Sequence, residues 1–482
     1  MLHIYDTRAR ALVPFSPITP GQVSLYVCGM TVYDDAHVGH ARSAVIFDTV
    51  ARYLRWRGYA VRYVRNFTDI DDKIIRRAHT RGEPPADLAA RQVRRYQEDM
   101  AALGLLPPTV EPRVSDHIGD IVDLISTLVA RGHAYAADGS VWFSVRSDPE
   151  YGTLSNQSPD QLQGGEVDHG KRAAEDFALW KGARPGEPSW ESPWGPGRPG
   201  WHIECSAMSV RHLGPTFDIH GGGLDLVFPH HENERAQSER AGHPYARHWM
   251  HHGMLTVRGG KMGHSLGNFV TVRDTLGAYP AEALRLYYLQ GHYRSPLPYD
   301  QNALDRALAM TSRLYEALSA TEAPPPNSER HPEVDALLAL AEGFPERLRE
   351  VMDQDFNTAA ALAEAFTLAR AVNRIAQSPR LLRRAGVALS AAREAFRVFS
   401  AATGLLQQEP ADFAAEVKRK RIAVLGLQAA DIASQVSARS AARAARDWSR
   451  ADAIRASLRE QGIEVRDAPD GGSDWHILME DS

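Results

Sequence analysis

From Gln22 to Phe67 the chain reads as strand, helix and strand, and that order leaves few folds open. "QVSLYVCG" is β-branched and aromatic and stops at a glycine, as a buried strand should. The apolar spacing predicts a helix from about Ala41, with Val45, Val50 and Leu54 near one face and Gly58 closing it. "YAVRYVRNF" is then a second strand. A strand–helix–strand unit of this length requires a parallel sheet with a right-handed crossover. Ligands of such sheets sit beyond the carboxyl ends of the strands. Both "CGMTVYDDAHVGH" and "NFTDIDD" fall there.

A chain of 482 residues is long for one core and predicts roughly two to four domains. The pattern is less regular from 106 to 200, where "GARPGEPSWESPWGPGRPG" (Gly182 to Gly200) marks an ordered loop or an insertion boundary. "WHIECSAMSV" resumes the strand-to-helix pattern and "TFDIHGGGLDLVFPHHENE" repeats it. After about Thr275 the chain turns helical. "FNTAAALAEAFTLARAVNRIA" places Asn357 as an N-cap and Leu362, Phe366, Ala369 and Val372 on one face. No apolar run is long enough to span a membrane, and "MLHIYDTRARALVPF" lacks the apolar core of a signal peptide. The expected location is therefore cytoplasmic, with no membrane segment.

Only two cysteines exist, Cys28 and Cys205, and a cytosolic chain rarely keeps such a pair as a disulfide. They are buried thiols or ligands. In "FPHHENERAQSE", His230 and Glu234 are four apart and share a helix face. No histidine lies four residues after His231, which excludes the HExxH zincin pattern. The pair is half a metal site or a plain polar cluster. Cys28 and Cys205, both expected at strand ends on one edge of the sheet, would complete a site, and Cys, Cys, His and Glu suit Zn²⁺.

"HVGH", His37 to His40, opens a helix whose free N–H groups attract phosphate. Two histidines three apart add donors to a phosphate, or simply stack on each other. "KMGHSLGN", Lys261 to Asn268, is a cationic, small-residue loop able to wrap a polyphosphate, or a surface turn.

Taken together, "YVCGMTVYDDAHVGHAR", "NFTDIDDKI", "GWHIECSAMS", "DIHGGGLDLVFPHHENERAQS" and "KMGHSLGNF" resemble cysteinyl-tRNA synthetase, in the family's order and spacing and over nearly the whole chain. The resemblance implies an α/β Rossmann-type catalytic domain with a parallel sheet split by an insertion, then an α-helical bundle and a small C-terminal anticodon-binding domain. The implied segments are 1–105 (catalytic, first half), 106–200 (insertion), 201–275 (catalytic, second half), 276–410 (stem contact and bundle) and 411–482 (anticodon binding).

The implied reaction activates L-cysteine with ATP to cysteinyl-adenylate and transfers it to the 3′ end of tRNA-Cys. The resemblance also implies one Zn²⁺ per chain on Cys28, Cys205, His230 and Glu234, selecting the substrate thiolate, with Mg²⁺ accompanying ATP. "HVGH" and "KMGHS" stand where the class carries HIGH and KMSKS, which implies phosphate roles for His37, Gly39, His40, Lys261 and His264. Gly263 and His264 depart from that motif, replacing its serine and second lysine. Thr68, Trp201 and His220 match positions lining the amino-acid pocket. Asp69, Asp71 and Asp72 are candidate magnesium ligands, though caps and turns of the following helix fit them better. A monomer is implied.

The last segment points to RNA on separate grounds. Between Lys418 and Arg459 stand ten Lys or Arg and three Asp or Glu, in a chain whose net charge is −5. Arg439, Arg443, Arg446 and Arg450 recur as one helical stripe near Trp448 and Trp475. Phosphate contact with base stacking needs such a face, and a solvated surface also shows it. Two rival readings are a mycothiol-type cysteine ligase, which lacks the C-terminal domain, and a tRNA-binding paralogue whose activation is impaired by the altered loop.

Overall fold

The computed structural model describes residues 1–158, 170–257, 260–261, 270–322, 324–325, 328–467 and 473–478. At its centre is an all-parallel, four-stranded sheet ordered Tyr245–His252, Thr216–Gly223, Gln22–Val27, Ala60–Arg65. From Gln22–Val27 the chain crosses to Ala60–Arg65 on one side, and after the insertion it enters Thr216–Gly223 on the other. The strand order reverses there, so a crevice opens beyond the carboxyl end of Gln22–Val27. Cys28 is the first residue past that end, and its N–H donates to the Gly221 carbonyl at 3.2 Å. Gly29 follows because a Cβ would fall 1.6 Å from the Asn66 carbonyl oxygen. Only glycine lets the two strand ends approach so closely.

The first helix runs Val38–Trp56 and opens earlier than the apolar spacing predicts. The reason is its cap. The His37 ring accepts from the N–H groups of Gly39 and His40, so polar residues that an apolar count ignores supply the first turn.

The insertion carries its own antiparallel sheet, Ala134–Ala137, Ser140–Phe143, Phe177–Gly182 and Gly197–Pro199 in that order. The Pro- and Trp-rich stretch therefore connects its last two strands. Along Gln22–Val27, Val23, Leu25 and Val27 join one core while Tyr26, with Cys28, joins a second. This is the period-two alternation of a strand buried on both faces.

The first core continues into the helices Ala281–Leu289, Gln301–Ser319, Pro332–Glu342, Thr358–Ala376 and Gly386–Thr403. Asn357 caps the Thr358–Ala376 helix as expected, accepting from Ala360 N–H at 3.1 Å. Asp48, buried on the first helix, accepts from Arg52 Nε at 2.8 Å and from Arg285, whose Nε donates to the Thr403 carbonyl at 2.8 Å. This buried ion group ties the sheet's helix to the bundle, and removing one member would strand an uncompensated charge.

The Pro410–Leu425 helix packs on the bundle: Phe413 stacks on Tyr315 at 4.0 Å, and Lys420 donates to the Tyr279 carbonyl at 2.9 Å. Beyond Gly426, the helices Ala429–Ala444 and Trp448–Glu460 and the hairpin Ile463–Asp467/Ser473–Ile477 enclose a third, small core. The expected arginine stripe is broken here. Arg439 and Arg443 lie on one helix, Arg446 in the turn after it at φ 60°, and Arg450 on the next helix. Among the described residues, no helix is long and apolar enough to cross a membrane.

Candidate active site and metal centre

Cys28, Cys205, His230 and Glu234 converge at the switch point, their ligand atoms all within 4.8 Å of one another. All four are buried. The Cys28 Sγ lies 3.5 Å from Cys205 Sγ and 3.2 Å from Glu234 Oε1, and His230 Nε2 lies 3.1 Å from the same oxygen. One expectation is corrected: Cys205 stands inside the Trp201–Leu213 helix, not at a strand end. The segment was misread because that helix is buried nearly all round, polar Glu204, Ser206 and Ser209 included, and so shows no amphipathic period. The predicted His230–Glu234 contact is present, although His230 belongs to the tight Val227–His231 turn that precedes the Glu232–Ala241 helix.

Neighbours aim the donors. Glu234 Oε2 accepts from Tyr245 Oη at 2.9 Å and meets His220 Nε2 at 2.8 Å, which leaves Oε1 facing the thiols. His230 Nδ1 lies 2.9 Å from His202 Nδ1, leaving Nε2 for the quartet. The Trp201 ring stacks on His230 at 4.2 Å. Such supporting contacts are what ligating groups need to hold one orientation.

The electrostatics suit a dication. Burial pushes both thiols up and the His230 imidazole down. Burial also pulls Glu234 upward, but His220 and His230 outweigh it and hold the carboxylate below its ordinary value. A tetrahedral Zn²⁺ at ordinary bond lengths sets its ligand atoms about 3.3–3.8 Å apart. The three spacings above lie within or just under that range, and all four atoms lie within 4.8 Å of one another, so the donor set suits such an ion. A second set, Cys28, His220, His231 and Glu234, overlaps the first.

The other end of the crevice is a cavity of about 340 Å³ lined by Cys28, Gly29, His37, Gly39, His40, Arg42 and Trp201 among others. His37 and His40 stack at 3.6 Å, and His37 Nδ1 caps the helix. Gly39 is required by that arrangement, since a Cβ would lie 2.8 Å from the His37 ring. Lys261 is placed as backbone on the Gly260–Lys261 strand, opposite Thr256. Gly263 and His264 lie outside the described residues.

Thr68 is buried and donates to Glu204 Oε2 at 3.0 Å. His220 is buried under the Trp249 ring at 4.6 Å. The aspartates follow the capping reading in part. Asp71 caps the Asp72–Arg81 helix and Asp69 accepts from Ser115, but Asp72 pairs with Lys181 and Arg198 of the insertion. Sequence reasoning missed His202, His231 and Tyr245. The histidine beside each of the first two motif positions was the available signal; Tyr245 offered none.

A family model of the class I (C) tRNA synthetase catalytic domain matches residues 14–309, and a DALR domain model matches 347–407. The chain is 48% identical to the cysteine–tRNA ligase of Geobacter sulfurreducens, covering 99% of each. It is 52% identical to that of Alkalilimnicola ehrlichii, covering 98% of this chain and 99% of the other. Among solved structures, methionyl-tRNA synthetase of Mycobacterium tuberculosis with methionyl-adenylate superposes with a TM-score of 0.63 at 18% identity, over 85% of this chain and 94% of that one. That last likeness is one of fold.

Proposed function

The chain belongs to the cysteine–tRNA ligase family of class I tRNA synthetases, and on that premise we propose that it activates L-cysteine with ATP and joins it to the 3′ end of tRNA-Cys. The observation that carries this reading is the buried quartet, which meets the cavity through Cys28 and offers a substrate thiol a donor set suited to a thiophilic ion. Cys28, Cys205, His230 and Glu234 would hold Zn²⁺, which when bound prefers thiolate to hydroxyl and so rejects serine without an editing site. Tyr245 and His220 orient Glu234, Trp201 lines the cavity, and Thr68, held on Glu204, would complete the amino-acid pocket.

ATP enters as its magnesium complex. The N–H groups of the Val38–Trp56 helix start and the rings of His37 and His40 take its phosphates. Lys261 and His264 hold the leaving pyrophosphate. The cysteine carboxylate attacks the α-phosphorus, so these residues contribute alignment and charge stabilisation rather than covalent chemistry. Residues 106–200 are the insertion, 276–410 contact the tRNA stem, and 411–482, whose first helix packs on the bundle, read the anticodon. The protein acts as a cytoplasmic monomer.

The test is purified protein with cysteine, ATP and tRNA. Cysteine-dependent pyrophosphate exchange followed by charged tRNA is expected. Exchange with transfer to a sugar amine but not to tRNA would favour the mycothiol-type ligase. RNA binding without exchange would favour the inactive paralogue.

A further inference from the structure

Arg42 follows His40 by two residues and is 2% exposed. Among the described residues it makes no ion pair. Its guanidinium instead donates to three backbone carbonyls: Nη1 to Met254 at 2.8 Å, and Nη2 to Ser295 at 2.5 Å and Tyr293 at 3.2 Å. Among the described residues its Nε has no hydrogen-bond partner.

A buried cation without a counter-ion is costly, and burial pushes this one down to about 10, so it stays charged at neutral pH. The carbonyls it holds are not arbitrary. Met254 precedes the Leu255–Val257 strand, which pairs on one side with Gly260–Lys261 and on the other with Leu297–Tyr299, just beyond Ser295. A Cβ on Gly253 would fall 2.4 Å from the Ser295 carbonyl oxygen, so these segments already touch where Arg42 clasps them. The planar, multi-donor fork of arginine holds such separated carbonyls in one fixed geometry, which the compact ammonium of lysine does less well.

We propose that Arg42 is a positioning residue that clamps the small sheet carrying Lys261 to the helix start bearing His37 and His40, so that the two halves of the phosphate site keep one geometry. The proposal rests on the reading of Lys261 as a pyrophosphate contact.

The test is a double-mutant cycle on full-length protein, read as single-turnover adenylate formation. Arg42→Met should lower the rate about 10²-fold, the scale of a small misplacement of reacting groups, with cysteine affinity and metal content held. Arg42→Lys should restore part of it. In a Lys261→Ala background, Arg42→Met should add little further loss. Full additivity, or an equal fall in cysteine affinity or metal content, overturns the proposal. Should Arg42→Met not fold, the cycle is run with Arg42→Lys.

If Lys261→Ala alone changes nothing, the reading of Lys261 fails separately. The clamp is then judged by hydrogen exchange: faster exchange confined to residues 254–257 and 293–297 in Arg42→Lys supports it, and unchanged or uniform exchange overturns it.

Discussion

The candidate metal quartet and the C-terminal tail both gather charged and polar groups, and they hold them in opposite ways. Cys28, Cys205 and the adjacent pair His230 and Glu234 come from three separate segments, and all are buried. Tyr245, His220 and His202 restrain them further. In the tail, the arginines are close in sequence and the fold pulls them apart. Arg439, 4% exposed, turns inward with Arg443 onto Asp467, whereas Arg446 and Arg450 remain exposed near Trp448. Convergence over long sequence distance in a low-dielectric crevice makes a site for chemistry. Local repetition makes a surface, part of which the domain uses to hold itself together.

The comparison predicts unequal fragility, and the quartet is where it breaks hardest. Cys205→Ser should abolish tight metal binding and cysteine activation together, by more than the roughly 10²-fold that losing a supporting neighbour costs a metal site. Metal content by elemental analysis, beside cysteine-dependent pyrophosphate exchange, checks it. A variant that kept its metal would show that the overlapping set with His220 and His231 suffices, and that the quartet is less committed than its burial suggests.

The tail should fail more gently and in a different assay. The Pro410–Leu425 helix belongs to the bundle through Phe413 and Lys420, so a cut before Lys418 would damage the catalytic body. A cut after Gly426 avoids this. It should leave pyrophosphate exchange intact while raising the KM for tRNA by roughly one to two orders of magnitude at physiological salt, as expected when several phosphate contacts are lost. Unchanged tRNA binding would make the exposed arginines a solvated face only.

How much of this was legible depended on whether a residue's role showed in its own neighbourhood. The strand–helix–strand unit gave the sheet, because its apolar periods are strong. The quartet could be read because cysteine is rare here and "HENE" is distinctive. Cys205's helix and the strand Tyr245–His252 were harder. Their polar and aromatic side chains are buried around the site, which erases the in–out pattern that marks an element. Arg42 was unreadable for another reason: its partners are backbone carbonyls more than two hundred residues away, and carbonyls carry no sequence signature.

Between the two extremes stands the Lys261 loop, whose composition departs from the family pattern at Gly263 and His264. Near neutral pH a histidine of ordinary pKa, about 6.5, is mostly uncharged, while lysine at about 10.4 is fully charged. His264→Lys should therefore raise the adenylate-forming rate by about 10-fold, less than the 10²–10³-fold that a whole preorganised donor is worth, since a phosphate bound beside His264 would itself favour the imidazolium. Single-turnover measurement decides it. An unchanged or slower rate would mean that His264 has a different role.

The smallest effect sits in the tail's own clamp. Hydrogen bonds from Arg439, opposed weakly by burial and reinforced by Ser473 and Arg443, hold the Asp467 carboxyl well below its usual range. A carboxylate depressed in the folded state stabilises it fully above the unfolded value, near 3.9, and that contribution is lost as pH falls below it. Asp467 is 38% exposed, so solvent screens the pair and the loss should be slight. The expected outcome is a loosening of the hairpin below about pH 4, reported by Trp475 fluorescence, that is absent in Arg439→Met because the depressed pKa goes with its first donor. An identical acid titration in the variant would assign the transition to other carboxylates. It would also mean that the inward-turned arginines contribute no more to the tail than the exposed ones do.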